Sequence, residues 1–449
     1  MSEALTRSLG TFVSGLRLEA IPSDALGVVR TGFADSVATL IAGSVEDAPA
    51  ILHKTLAPPP GDATLYLAGP RVPAPEAAWI NGTAAHALDY DDVALRGHPS
   101  TVLVPTILAE GEALGSTGAE LATAYVAGYE VWADLQRRDP AQHHEKGWHP
   151  TGIFGPIGAA AACASLRRLD ADSTARALAL AASQSSGVMA NFGTMTKPFH
   201  AGRSAHSGLM SARLAELGFT ASQDALEHPQ GFLSAVSPEG AVDRESPPKG
   251  LGSEWWIIKY RLGIKKYPAC YCTHRALDAM LELLAHHPLK PEEIARITVS
   301  LSDTHALILR NHQPQTGLAA KFSMEFAMAA AVISRRAGLA EYTDGFVRRP
   351  EVQDLMRRVG VETNQNYDPE VSGASVFDQV RVELVGGGVV ESEKVTRAKG
   401  HADRPLSEDE LFEKFRTCLD AGGAKIAPGV LFDRLRHLED LSARELTTV

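Results

Sequence analysis

The sequence predicts a mainly α protein with an α+β part: a large helical domain formed by both chain ends, and an inserted smaller α+β lid domain with an antiparallel sheet. Three observations predict it. Apolar residues recur at helical spacing through residues 1–265, between well-marked helix starts. In Ile294–Ser302 the period drops to two, with Ile297, Val299 and Leu301 alternating with polar residues. After Lys399 the helical spacing returns. The expected boundaries are therefore 1–265 and 400–449 for the helical domain and 266–399 for the lid. A cleft between two such domains is a common place for a ligand.

The elements follow in order. Ser23-Asp24, after Ile21-Pro22, opens a helix carrying Leu26, Val29, Phe33, Val37 and Leu40 towards Gly43. Pro75 opens a second through Trp79, Ile80 and Ala84, and Pro99-Ser100 a third through Val104, Ile107 and Leu108. Thr117-Gly118-Ala119-Glu120 is a capping box. Residues 155–169 and 173–183 are rich in alanine, which lets helices pack closely. In the insert, helices are expected at 275–286, 324–336 and 350–359. Gly386-Gly387-Gly388 joins strands 377–384 and 389–395 as a hairpin. Ser407-x-x-Glu410 caps the return to helix.

Composition narrows the function. The 449 residues carry a net charge of −11, which argues against nucleic acid as a partner. Cations for an anionic ligand must then be concentrated locally. Only Cys163, Cys270, Cys272 and Cys418 are present, and no signal peptide is visible, so a cytoplasmic location is expected. No apolar run reads as a membrane span, so no membrane partner is expected.

Residues 193–209, GTMTKPFHAGRSAHSGL, concentrate Thr194, Thr196, Lys197, His200 and Arg203 among small residues. Pro198 and Gly202 predict a loop, with helix from about Arg203. A loop entering a helix N-terminus favours an anion. A second cluster is His86, Asp89, Asp91 and Asp92, followed by Arg96 and His98. A third holds His143, His144 and His149 before Pro150-Thr151-Gly152, and a fourth runs Lys265-Lys266-Tyr267-Pro268-Ala269-Cys270-Tyr271-Cys272-Thr273-His274. None has metal-ligand spacing, and no nucleotide-binding loop or serine elbow occurs, so no metal or cofactor is expected. His, Lys, Asp and Tyr without a cofactor suit proton abstraction next to a carboxylate.

Taken together, NGTAAHALDYDD, RGHPS, GWHPTG, GTMTKPFHAGR, KKYPACYCTH and KFSMEF resemble the MmgE/PrpD family, in the family's order over nearly the whole chain. The resemblance implies a helical domain with an α+β lid, a homodimer, and cofactor-independent chemistry on a small polycarboxylate. It implies 2-methylcitrate dehydratase-like lyase activity first, with iminodisuccinate-type epimerisation as the alternative. Cis-aconitate decarboxylation, or carboxylate binding without turnover, ranks below them. Carried over by motif, Asp89, His98, His149 and Lys197 line the pocket. The decarboxylase branch has Thr where this chain has Val93, and Tyr where it has Phe326. The epimerase has Tyr where it has His144. The catalytic candidates are thus Lys197, His149, His98, Asp89 and His144. The substrate-binding candidates are Arg203, His200, Thr196, Lys266, Tyr267 and His274.

Overall fold

A computed structural model describes residues 4–66, 69–371 and 373–449. Long helices fill the first half: Ser23–Gly43, Ala74–Ala87, Ser100–Leu114, Gly118–Arg137, Pro150–Leu166 and Thr196–Glu216. Their shared faces are largely alanine and glycine, so the backbones approach closely. A Cβ on Gly202 would lie 2.2 Å from the Trp79 carbonyl oxygen and 2.3 Å from Thr83 Oγ1. One buried core runs from Leu5 to Ile264 and is completed by Leu411, Phe415, Cys418, Leu431 and Leu446. A second core holds Tyr267 to Val395, together with Phe192.

Two local expectations need correcting here. Ser23–Gly43 is, by length and composition, apolar enough to cross a membrane, although no such run was expected; 72% of that stretch is buried. Its apolar residues lie in the first core, where Val29, Phe33 and Val37 are fully covered. The segment carrying Lys197 is helical from Thr196, not from Arg203. Pro198 falls in the first turn, where its missing N–H is no loss. Gly202 serves contact with Ala74–Ala87 rather than ending the helix.

Around the second core lies a four-stranded sheet: β1 (Ile294–Ser302), β2 (Val359–Asn364), β3 (Gln379–Leu384) and β4 (Val389–Glu391), in the order β2-β1-β3-β4. The β1–β3 and β3–β4 pairs are antiparallel. β2 pairs parallel to β1, with Val299 opposite Val361, so the sheet is mixed rather than purely antiparallel. The expected helix 350–359 ends at Met356, and the chain turns straight into β2. Helices connect β1 to β2, which is how a parallel neighbour is reached.

Candidate active site

Helix Ala74–Ala87 ends in a tight turn at which Asp89 adopts φ 50°, a left-handed conformation that Asp tolerates better than most residues. Three successive carbonyls of this turn each accept a hydrogen bond from a buried lysine. Lys321 Nζ donates to Leu88 O at 2.6 Å, Lys265 Nζ to Asp89 O at 2.9 Å, and Lys414 Nζ to Tyr90 O at 2.7 Å. The three lysines come from the KFSMEF segment, the junction between the two cores, and the helix Glu408–Gly422. Burial pulls the Lys321 ammonium down to about 8, against the pull of Asp89 and Glu46.

The Asp89 side chain is the centre of the site. Its Oδ1 accepts from Lys197 Nζ and from Lys265 Nζ, each at 2.7 Å. Burial alone would raise its pKa, but the two ammonium groups outweigh burial and hold the carboxyl well below its usual range. Burial likewise works against the Lys265 ammonium, and Asp89 and Asp91 outweigh it, so Lys265 is raised. Two ammonium groups thus share one carboxylate, a local excess of positive charge that Asp91, behind the histidines, partly offsets. The Phe192 and Phe322 rings flank Lys197 Nζ at 5.3 and 5.5 Å.

Asp91 holds two histidines. Its Oδ1 lies 2.7 Å from His86 Nδ1 and its Oδ2 2.9 Å from His98 Nδ1. His98 Nδ1 also bonds the Asp92 carbonyl at 2.8 Å. A carbonyl can only accept, so His98 carries its proton on Nδ1 and keeps a lone pair on Nε2. His86 Nε2 lies 3.0 Å from Lys197 Nζ, from which it accepts. Burial pushes His86 down to about 3 and lowers His98, with Asp91 opposing in both cases. Asp92 takes both bonds of Ser100, from Oγ at 2.8 Å and from the backbone N–H at 3.3 Å. Burial and the charge of Asp91 raise Asp92 well above the carboxylate range. The adjacent acids are thus pushed in opposite directions: against burial, His86 and His98 hold Asp91 well below the carboxylate range, while Asp92 is raised.

A cavity of about 620 Å³ opens onto this cluster, lined from both cores by Asp89, Val93, His98, His144, His149, Phe192, Lys197, Lys265 and Phe322, among others. All five catalytic candidates line it. His149 is buried, its Nδ1 is 3.1 Å from His200 Nδ1, and its Nε2 has no partner. Burial, followed by the charge of Lys197, lowers His149 well below its usual range. His144 is pushed down to about 3 by burial and by His143.

The substrate-binding candidates fare differently. Arg203 lies off the cavity, against the Trp79 ring at 5.2 Å and His206 Nδ1 at 2.8 Å. With the helix starting at Thr196, Arg203 is nearly two turns beyond Lys197, on another face. Thr196 is the first residue of that helix, its N–H bonded to Thr194 Oγ1 at 3.2 Å. His200 supports His149 from behind. Lys266 points away, its Nζ 3.5 Å from Asp278, and Tyr267 donates to Asp278 Oδ1 at 2.8 Å. His274 bonds the Ala269 carbonyl at 3.3 Å between the Tyr267 and Tyr271 rings. None of the six is among the cavity-lining residues.

Of the Lys265-Lys266 pair, the structure turns Lys265 rather than the expected Lys266 towards the cavity, and His86, Asp91 and Lys321 join the cluster without having been expected there. The available signal was position: all four stand inside quoted motifs. Phe326 is fully buried in the second core and does not line the cavity, whereas Val93 does. One ligand nitrogen from each of His86, His98 and His149 lies within 4.8 Å of the others, so these three could hold a metal ion.

Comparison with known proteins gives two family matches. The model of the MmgE/PrpD N-terminal domain matches residues 7–245, and that of the MmgE/PrpD C-terminal domain matches 267–426. The chain is 28% identical to a cis-aconitate decarboxylase of Mus musculus, over 83% of this chain and 78% of the relative. It is 26% identical to one of Aspergillus terreus, over 97% and 92%. The cis-aconitate decarboxylase-like protein oryM of Aspergillus oryzae is 26% identical, over 97% and 93%.

Proposed function

Because the chain belongs to the MmgE/PrpD family, and is an enzyme of the lyase type acting on carboxylates, we propose that it abstracts a proton next to a carboxylate of a small di- or tricarboxylate and expels a β-hydroxide as water. The observation that carries this reading is the pair of ammonium groups, Lys197 and Lys265, on Asp89, beside the free Nε2 of His98. The two cations hold the substrate carboxylates and the negative charge that develops as the Cα–H bond breaks. His98 Nε2, a lone pair on a neutral ring, takes the proton. The Cα–H electron pair becomes the new double bond, the β C–O bond breaks with its electron pair on oxygen, and the Lys197 ammonium protonates the departing hydroxide, which leaves as water. These roles need no cofactor. Return of the proton to the opposite face instead would make the enzyme an epimerase of the iminodisuccinate type.

A second reading, loss of CO₂ from cis-aconitate, is favoured by the names of the relatives. Val93 and the two phenylalanines would then place a departing carboxylate against apolar groups, which disfavour its charge. Proton NMR in D₂O with citrate, 2-methylcitrate, cis-aconitate and iminodisuccinate separates the cases. Loss of water supports the first reading and CO₂ release the second. Deuterium at Cα without elimination supports the epimerase. Binding of all four without exchange at Cα overturns catalysis and leaves a carboxylate-binding protein. A homodimer and a cytoplasmic location complete the proposal.

A further inference from the structure

The imidazoles of His86, His98 and His149 lie together, and that of His86 meets the Lys197 side chain. Lys197 Nζ is 3.0 Å from His86 Nε2, and the His86 ring centre is 4.4 Å from that of His98 and 6.0 Å from that of His149. His86 and His98 both turn Nδ1 to Asp91. A carboxylate behind two histidines is the outer-shell arrangement that orients imidazoles for metals. The third ring offers an unpartnered Nε2. All three are buried, and one ligand nitrogen from each lies within 4.8 Å of the others. Ions of the zinc class need about 3.3 Å between tetrahedral ligands, so the three rings draw together when one binds.

We propose that these three histidines form a latent site for a divalent transition ion of the zinc class, whose binding competes with the Lys197 ammonium. The ion binds through three imidazole nitrogens with its fourth position towards the cavity, while Asp91 steadies two of the rings. Two cations this close in a buried site repel strongly, so the ion enters only when the Lys197 side chain swings out. Nitrogen donors select zinc, cobalt, nickel and copper over magnesium and calcium. The inference does not rest on the proposed reaction, because occupancy is read without substrate.

The test is a titration of metal-free protein with Co²⁺, followed by visible absorption and equilibrium dialysis. Wild type should bind weakly, with the intense visible bands of four-coordinate cobalt. Lys197→Met and Lys197→Ala should each bind one ion at least about tenfold more tightly, because the competing charge is gone. His149→Gln should abolish the bands in wild type and in the Lys197→Met background. Mg²⁺ should neither bind nor displace cobalt. Equal affinity in wild type and the lysine variants overturns the competition, and bands that survive His149→Gln overturn the site. If neither lysine variant folds, the wild-type arm with His149→Gln still decides.

Discussion

Replacing Lys265 by Met isolates one ammonium group of the site. The side chain is fully buried and donates to Asp89 Oδ1 at 2.7 Å and to Asp89 O at 2.9 Å. Bonds to charged groups contribute about 1.5–3 kcal/mol each. Removing one partner of a buried ion pair costs about 3–5 kcal/mol. Lys197 still covers Asp89 Oδ1, so the loss should sit at the lower end, about 3 kcal/mol, or roughly 3 °C in a chain of this size. Met keeps most of the stem, so no large void adds to the cost. Loss of a cation aimed at the developing charge should lower kcat by about 10²–10³. The neighbour supplies the control: the Lys266 side chain is 41% exposed and sits 3.5 Å from Asp278. Lys266→Met should change stability by no more than about 0.5 kcal/mol and leave turnover near wild type. Calorimetry and steady-state kinetics on both variants, with whichever polycarboxylate the screen identifies, make the comparison. Equal damage from the two substitutions, or a wild-type melting curve and turnover for Lys265→Met, would refute this reading of the site.

Three further outcomes are expected. Lys197→Met should lower turnover by about two to four decades, and Lys197→Arg should not restore it, since guanidinium cannot give up its proton; near-normal turnover in the Met variant would remove Lys197 from the chemistry. Activity should survive exhaustive EDTA treatment, and a loss reversed by one divalent ion would turn the three-histidine cluster into a catalytic metal centre. Stability should fall as the medium is acidified. Burial holds His86, His144, His274 and His305 to about 3 and His200 and His206 to about 4, against about 6.5 in the unfolded chain. Below that value the unfolded state takes up protons that the folded state refuses. Each histidine then costs about 1.4 kcal/mol per pH unit until its folded pKa is reached. Asp92, with its raised pKa, works the other way and offsets part of the loss. Calorimetry between pH 7.5 and 5 should show Tm falling below pH 6.5, and a flat profile would contradict the buried neutral histidines.

Much of this was legible in the chain itself, because helical and strand periodicity are local. The alternation at Ile297, Val299 and Leu301 marks β1, and the glycine triplet marks the hairpin between β3 and β4. β2 escaped notice because Val359–Asn364 follows its helix without a break and pairs with a strand more than fifty residues earlier. Pro198 and Gly202 misled for a related reason: their tolerance depends on position in the turn and on a neighbouring helix, neither of which periodicity contains. In the site, Asp89, His98, His149 and Lys197 were carried by motif. Lys265 was not separated from Lys266, since adjacent residues face opposite sides and only the turn at Asp89 decides which is drawn inward. Arg203 looked suitable by charge, yet its direction is set by a helix start seven residues earlier.

The three lysines on the Leu88, Asp89 and Tyr90 carbonyls bear on how the protein is made. A ribosome delivers the turn early, but the group that secures Leu88 arrives with residue 321 and the one that secures Tyr90 with residue 414. Until then the turn waits among partly assembled helices with its Leu88 and Tyr90 carbonyls unsecured. The nascent chain therefore holds no competent site until residue 414 has left the exit tunnel. A truncation before residue 414 should leave the turn unsecured, however well the first helices have formed. Protease susceptibility at the 88–92 turn, measured on stalled chains of increasing length, should drop only after that last lysine emerges.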